Sequence, residues 1–448
     1  MSGGAYDAIV IGSGSGGRSV AGRLGDAGMR VAMVEARLVG GECPFWACMP
    51  AKALLRPGEA VAAARRVPGV EARIADWDAV AGWRDWVTAG LDDAGKVRRY
   101  EDQGVEVLRG TARIDGPGRV VVDGETHATR RIVVATGSEP VVPPAEGIDR
   151  IGAWTNREAM ELRRVPERAL VLGGGPVGVE IAQMLAHGGA RVSVVEADDR
   201  LLAGEEPEVS ALLEEAFAAA GIELLLGRRA ERFAPEDGMA RAVLDDGTER
   251  VVERVVVATG RRPRVENIGL ETVGVEPGEA GIDVDDRCRA AEGVWAVGDC
   301  TSAPSFTHVA SYQGRVAAAD ILGEPLRADL SAVPRCVFTD PEVAAVGRTA
   351  AQAREAGIAT VAAAVDLADL ERATTYGRGV IGRAGLLADA REGVVVGAHA
   401  VGPLASEWIH MAVLAVRARI PVDVLRDVVA QFPTFSEALV AAARRLDV

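Results

Sequence analysis

The spacing of apolar and polar positions divides this 448-residue chain into a repeated unit and a tail. The apolar run from Asp7 to Ile11 is short and reads as a buried strand. It meets the turn Gly12-Ser13-Gly14-Ser15-Gly16-Gly17, then a helical pattern to about Asp26. A second apolar run, Arg30 to Val34, ends in Glu35. The pattern then returns. Ala169 to Leu172 reads as a strand and meets Gly173-Gly174-Gly175-Pro176-Val177-Gly178. A helix and a strand follow, ending in Glu196. In both copies the acid lies 23 residues past the first glycine. Each copy closes on an Ala-Thr-Gly turn, in Val133 to Pro140 and in Val256 to Pro263.

Strand, G-x-G-x-x-G, helix, strand and acid in this order form a dinucleotide-binding pattern. Gly12, Gly14 and Gly17 permit a tight turn and let backbone N–H groups approach a pyrophosphate at the helix start. Gly173, Gly175 and Gly178 take the same places in the second copy, with Val177 also at the helix start as a candidate cofactor contact. Glu35 and Glu196 are placed to accept hydrogen bonds from a ribose. The fingerprints lie 161 residues apart and the Ala-Thr-Gly turns 123 apart, so the first copy carries 38 extra residues. They are assigned to a cysteine-bearing helix and the helices after it.

The stretch after Lys52 looks helical to about Gln103, with interruptions at Pro57, Pro68 and Gly69. Trp83 and Trp86, at i and i+3, are expected in the core. From Val105 to Val134 short β-rich runs alternate with turns at Asp115-Gly116 and Asp123-Gly124, a meander pattern. Val294 to Cys300 (VWAVGDC) reads as a strand ending in Gly-Asp, and Thr307 is expected to cap the next helix. A boundary falls at about Gly323 to Val333, and the remainder alternates strand and helix.

Composition narrows the class. Hydrophobic content of 48% with 53 glycines fits a globular α/β protein of two or three domains. A net charge of −15 argues against nucleic-acid or anionic-membrane partners. No apolar run reaches membrane-spanning length. The N-terminal MSGGAYD lacks a charged region followed by an apolar one, so a cytoplasmic location is expected. Five cysteines in so long a chain make no disulfide scaffold, and the scattered histidines show no metal-ligand spacing.

The chemistry concentrates in Gly40 to Lys52, GGECPFWACMPAK. Residues five apart on a regular helix have Cα atoms roughly 8–9 Å apart, whereas a disulfide needs about 4.4–6.8 Å. Cys43 and Cys48 can therefore bridge only if the helix is distorted or Cys43 lies just before it. Pro44 suits a first helical turn, and Pro50 is expected to kink the helix by removing the bond to the Trp46 carbonyl. Cys48 and Lys52, at i and i+4, share a face. Two buried thiols in a core would also satisfy these residues. Only Lys52 and Lys96 among 50 basic residues are lysines, so a lysine here points to a need for a compact ammonium.

This stretch resembles GGTCLNxGCxPSK, the redox-disulfide motif of the FAD-dependent pyridine nucleotide-disulfide oxidoreductases. That family includes dihydrolipoamide dehydrogenase, glutathione and mycothione reductases, and mercuric reductase. The cysteine spacing, the proline and the lysine match, while Glu42, Pro44, Phe45, Trp46 and Ala51 depart. VWAVGDC is similar to the second FAD motif and Val337 to Gly347 to the start of the interface domain, so the resemblance spans essentially the whole chain.

The resemblance implies an α/β fold with two Rossmann-like dinucleotide-binding domains plus a C-terminal α+β interface (dimerisation) domain. Expected boundaries are 1–145 for the FAD-binding domain, 146–275 for the NAD-binding domain, 276–330 for the FAD-binding return segment and 334–448 for the interface domain. It implies FAD and NAD as cofactors. It also implies a homodimer whose site is completed by the partner's C-terminal domain. Cofactor contacts then fall on Gly41, Glu42, Cys48, Lys52, Ala112, Thr136, Gly137, Gly260, Gly298, Asp299, His308, Val309 and Ala310, with Asp299 on the flavin ribityl chain. In the family NAD(P)H reduces the flavin, which opens the disulfide. By likeness Cys48 stays against the flavin, Cys43 attacks substrate, and Lys52 pairs with Glu180.

The family ends in HAHPTxSE, whose second histidine is the acid–base, held by the glutamate. This chain reads Ala430-Gln431-Phe432-Pro433-Thr434-Phe435-Ser436-Glu437. Glu437 is present, but Phe432 occupies the histidine position, and Thr434-x-x-Glu437 also reads as a capping box. Three functions follow. The first is reduction of a disulfide or related acceptor by NADH through Cys43 and Cys48. The second is direct flavin reduction of a quinone or similar acceptor. The third is a flavin-bearing redox sensor or binding dimer. Mercuric reductases need a second cysteine pair near the C-terminus, and this chain has no cysteine after Cys336.

Overall fold

The computed structural model describes residues 5–448. They form two compact units. One comprises residues 5–50, Trp83–Val141 and Gly260–Asp329; the other comprises Ala51–Gly82, Val142–Thr259 and Leu330–Val448.

The first unit is built on a six-stranded sheet in the order Val105–Arg109, Val31–Glu35, Ala8–Ile11, Ile132–Val134, Val294–Ala296, Arg289–Ala291. All neighbours are parallel except the last pair. A parallel sheet covered on both faces needs continuous apolar strands, and Ala8–Ile11 and Ile132–Val134 are buried throughout. The helices Ser15–Asp26 and Thr307–Ile321 pack through glycines: a Cβ on Gly314 would lie 2.6 Å from the Gly16 carbonyl oxygen. The expected meander is present as the antiparallel strands Ala112–Ile114, Arg119–Val122 and Glu125–Ala128. The strands after the two Ala-Thr-Gly turns, Ser138–Pro140 and Arg261–Pro263, pair with each other.

The second unit holds a parallel sheet in the order Glu223–Leu226, Arg191–Glu196, Arg168–Leu172, Arg254–Val257. It also holds a five-stranded antiparallel sheet in the order Pro334–Val337, Glu342–Gly347, Val395–Gly402, Arg383–Asp389, Thr360–Asp366. The helix Glu437–Arg445 packs its apolar face on that sheet's core.

Two expectations are corrected. Pro57 does not interrupt the helix, which runs unbroken from Cys48 to Arg65. Trp83 and Trp86 are not core residues; they are 40% and 78% exposed. The helix Trp77–Val87 turns Val80, Ala81 and Arg84 inward. Arg84 takes a core-facing position and pairs with Asp85, which put the inward face out of reach of a pattern read from apolar residues alone.

Candidate active site

Steric necessity builds the two glycine turns alike. Gly12 and Gly173 have φ of +103° and +108°, and a Cβ on either would collide with the carbonyl of Ala135 or Ala258. A Cβ on Gly17 or Gly178 would collide with the carbonyl of Gly12 or Gly173. The middle glycines differ. Gly14 and Gly175 are N-caps with no side-chain cap, and a Cβ there would meet open space. Each helix start thus presents bare N–H groups to whatever approaches.

The acids close the turns. Glu35 accepts from the backbone N–H of Ser13 at 3.0 Å and of Arg37 at 2.8 Å. Glu196 accepts from the N–H of Gly174 and, at 2.8 Å, of Asp198. The Ser13 hydroxyl also donates to Glu35 and accepts from the Gly40 N–H at 3.0 Å. Gly41 follows with φ +71°, and a Cβ on it would lie 2.7 Å from the Gly14 Cα. The segment leading to Cys43 is therefore pinned to the first turn.

That segment is not one helix. A short helix, Glu42–Trp46, stops at Ala47 (φ −138°, ψ −105°), and a new one starts at Cys48. The distortion expected from the cysteine spacing is present, but Pro50 does not cause it. Pro50 sits in the first turn of the second helix, where a missing N–H costs nothing. The break brings Cys43 and Cys48 into side-chain hydrogen-bond contact; both are thiols, partly exposed. That contact, then burial, then the Cys48 charge push the Cys43 thiol well above its ordinary range, while Thr307 and Arg18 act the other way. Among the other cysteines, burial pushes Cys288 and Cys336 up to about 12 and raises buried Cys300.

Thr307 does not cap. It is the first residue of its helix, the N-cap being Phe306, and its Oγ1 lies 3.2 Å from the Cys48 Sγ. His308 follows in the first turn, stacked on Phe306 with ring centroids 5.2 Å apart.

In the second unit Lys52 Nζ donates to both Glu180 carboxylate oxygens, at 2.9 and 2.8 Å. Glu180 also accepts the Phe338 N–H at 2.9 Å, and the ammonium lies 4.4 Å from the Phe338 ring centroid. A carboxylate and an aromatic face thus hold one compact cation.

Residues 6–314 match the family model described as pyridine nucleotide-disulphide oxidoreductase, and residues 333–443 match that family's dimerisation domain. The chain belongs to the pyridine nucleotide-disulphide oxidoreductase family. It is similar to a dihydrolipoyl dehydrogenase of Thermus scotoductus, 36% identical over 453 residues, covering 98% of this chain and 97% of the relative. It is also similar to a mercuric reductase of Streptomyces lividans, 36% identical over 459 residues, covering 98% and 96%. Among solved structures, LpdA from Mycobacterium tuberculosis has a TM-score of 0.86 at 29% identity, covering 98% of this chain and 99% of that one. The HOCl-induced flavoprotein disulfide reductase RclA from Escherichia coli has 0.88 at 26%, covering 98% and 100%. The protein is an NAD(P)H-dependent FAD disulfide oxidoreductase with two Rossmann-like domains and a C-terminal dimerisation domain.

The residues present in this oxidoreductase fit the two cofactors, since each turn has an open middle glycine at an uncapped helix start and an acid bonded to the turn's own N–H. The remaining expected contacts divide by unit. In the first, Ser138 donates to Asp299 at 2.9 Å, and Arg261 donates to Ser138 and Glu42, each at 2.8 or 2.7 Å. Thr136 donates to the Arg264 carbonyl, whose own N–H donates to Gly137. Gly298 has φ +79° and donates to Gln313, the Gly260 carbonyl accepts from Val141, and Ala112, Val309 and Ala310 are buried. In the second, Val177 is 41% exposed beside Gly175.

At the C-terminal segment only half of the expected capping box forms. Glu437 accepts the Thr434 N–H at 2.8 Å, but the helix starts at Glu437 with Ser436 as N-cap, and the Thr434 hydroxyl turns to the Gln431 carbonyl. Phe432 is 67% exposed. The pattern missed Ser13, Arg18, Ser138, Phe338 and the role of Thr307. Only Ser13 had a local signal, its place inside the fingerprint.

Proposed function

We propose that this oxidoreductase passes electrons from NADH through FAD to a Cys43–Cys48 dithiol that reduces a small disulfide or related acceptor. The observation that carries the reading is the Cys43–Cys48 contact at the helix break. We assign FAD to residues 1–145 and 276–330, NAD to 146–275, and the interface of a homodimer to 334–448, in a cytoplasmic setting where thiols stay reduced. Among the described residues no helix is long and apolar enough to cross a membrane.

When bound, FAD supplies two-electron transfer between the nicotinamide and the thiol pair. The chain's own residues do the rest. The Cys43 sulfur attacks one sulfur of the acceptor, and the acceptor's S–S bond breaks to release a first thiolate. The Cys48 sulfur then attacks Cys43, releasing a second thiolate and closing the Cys43–Cys48 bond. Two electrons leave the dithiol, and its two protons end on the two product thiols. Lys52 keeps a fixed positive charge, held by both oxygens of the Glu180 carboxylate.

The proton traffic is the unusual part. A positioned general base supplies roughly 10²–10⁴ in rate, or about 2.7–5.4 kcal/mol of barrier, and Phe432 cannot serve as one. Exposed Phe432 and Val429 suit an apolar acceptor, or one whose leaving thiol departs unaided. The same apolar pair favours a second reading, direct reduction of a quinone with the thiols idle.

One set of assays separates the two. NADH oxidation by the full-length holoenzyme is followed against small disulfides, lipoamide and a quinone, for the wild type, Cys43→Ser and Phe432→His. Cys43→Ser is expected to lose disulfide turnover. The wild type is expected to turn over the lipoamide couple at least about a hundredfold slower than a histidine-equipped enzyme. Phe432→His is expected to restore part of that rate, because Glu437 keeps the spacing that orients the ring. Full disulfide turnover by Cys43→Ser hands the function to the quinone reading.

A further inference from the structure

Two cations of the first unit stand without a carboxylate. Lys96, in the helix Ala94–Asp102, holds its ammonium 4.4 Å from the centroid of the Phe45 ring. Arg18, in the helix Ser15–Asp26, donates through a terminal nitrogen to the Ser15 hydroxyl at 3.1 Å, and its Nε is buried without an acceptor. Neither is in an ion pair among the described residues. The acids beside Lys96 are committed elsewhere. Asp93 accepts from Arg109 at 2.6 Å and from the Val39 N–H, and Asp92 accepts from the Ala94 N–H at 2.8 Å. A chain of net charge −15 has acids to spare, and yet these two cations have none.

Packing brings the two together. Gly14, Arg18 and Gly22 lie one turn apart on one helix face. A Cβ on Gly22 would meet Gln103 and Tyr100 at 3.3 and 3.5 Å, and one on Gly41 would meet the Gly14 Cα at 2.7 Å. Arg18 therefore lies between the Tyr100 end of Ala94–Asp102 and the Gly40-Gly41 segment. Lys96 is one turn before Tyr100, and its Cδ would lie 3.2 Å from a Cβ on Gly40. Phe45, beneath the ammonium, is two residues past Cys43 on the same short helix. The charges respond to this placement. Burial, then Arg18, hold Lys96 below its ordinary range, against Asp93 and Asp92. The Cys43 thiol, raised first by its hydrogen bond to Cys48, is lowered by Thr307 and Arg18. Two partly buried like charges without a counter-ion repel each other, and an anion between them relieves both the repulsion and the lost hydration.

We propose that Arg18 and Lys96 form an anion subsite beside Cys43, which selects a disulfide acceptor carrying negative charge close to its S–S bond. The proposal rests on the reading of Cys43 as the attacking thiol and names the acceptor class for it. An acceptor of this kind whose thiol leaves unaided has no need of the base that Phe432 cannot supply. The subsite then contributes binding where the chain lacks a positioned proton carrier. The same charges would also suit a cofactor phosphate, so flavin content is read on every variant.

The test uses the full-length holoenzyme with NADH and two disulfides that both release acidic thiols. Dithiobis(nitrobenzoate) is a dianion, and dithiodipyridine is uncharged. The measured quantity is the ratio of kcat/KM for the dianion to that for the neutral disulfide. Lys96→Met keeps the stem over Phe45 and removes the charge; it is expected to lower the ratio about tenfold. Arg18→Met is expected to do the same, and Lys96→Arg to keep the wild-type ratio. Added salt is expected to lower the ratio of the wild type but not that of the double variant. An unmoved ratio in Lys96→Met overturns the proposal. Lys96 is partly exposed, so this variant decides even where Arg18→Met fails to fold. Loss of flavin from Lys96→Met hands the cations to a cofactor phosphate and also overturns it. The underlying reading fails separately: turnover of either disulfide by Cys43→Ser rejects Cys43 as the attacking thiol, and the ratio still decides whether anions are selected.

Discussion

The first nucleotide turn has Ser13 where the second has Gly174. Around that position the two copies match: equal left-handed first glycines, third glycines too close to a carbonyl for any Cβ, and an acid bonded to the turn's own N–H. At Gly174 a side chain would crowd its neighbours, since a Cβ would lie 2.7 Å from a methyl of Leu201. At Ser13 the space holds a fully buried hydroxyl that joins Glu35 to the N–H of Gly40. The shared geometry is what any dinucleotide demands. The added hydroxyl ties one copy to the segment carrying Cys43 and Cys48, the pair proposed above for the redox step, and the second copy has no such tie.

The equivalence can be broken most sharply at the third glycines. Gly17→Ala and Gly178→Ala each force a Cβ into a backbone carbonyl, which cannot swing aside, and each is expected to cost about 3 kcal/mol or more. Their consequences should differ. The Gly17→Ala protein is expected to purify without flavin absorbance, and the Gly178→Ala protein to keep its flavin but lose rapid reduction by NADH. The opposite pattern would exchange the cofactor assignments of the two turns.

A smaller effect is expected at the second acid. Glu196 stands where a carboxylate favours a ribose 2′-hydroxyl and repels a 2′-phosphate. Arg200, the nearby cation, is committed to the carbonyls of Ala203 and Glu205 and to the Ser210 hydroxyl. The wild type should therefore prefer NADH, and Glu196→Ala should narrow the ratio of NADH to NADPH specificity constants about tenfold, or ~1.4 kcal/mol. A wild-type preference for NADPH would contradict this.

The smallest effect falls on the difference itself. Ser13→Ala removes the tether while keeping the backbone, at a cost of about 1 kcal/mol. Faster amide exchange is expected at Gly40 and Gly41, with the second unit unchanged. Unaltered exchange there would mean that Gly41, packed on Gly14, holds the segment without help.

Much of this arrangement was legible along the chain because it is local. Positive φ and close carbonyls admit only glycine, so the turns announce themselves. Burial on both faces makes the parallel strands continuous apolar runs, and 23 residues in each copy bring an acid back beside the first glycine. Helical rise alone meant that Cys43 and Cys48 could bridge only across a distorted helix or with Cys43 lying before it. The family resemblance, rather than any spacing, supplied Glu180 as the partner of Lys52, 128 residues away.

Tertiary structure decided what lies between distant segments. The helix breaks at Ala47 and not at Pro50, because a proline in a first turn forfeits no bond. Thr307 looked like a cap, since Ser and Thr before a helical run so often are; its hydroxyl instead meets a sulfur 259 residues earlier. Thr434 and Glu437 form half a box because the helix begins one residue past Ser436. Trp86 lies outside because Arg84, whose charge is matched by Asp85, takes the inward place. Periodicity records which positions a backbone can turn inward, but the partner of a polar side chain is set by which segments the fold brings within 3 Å or so, and neighbouring residues carry no record of that.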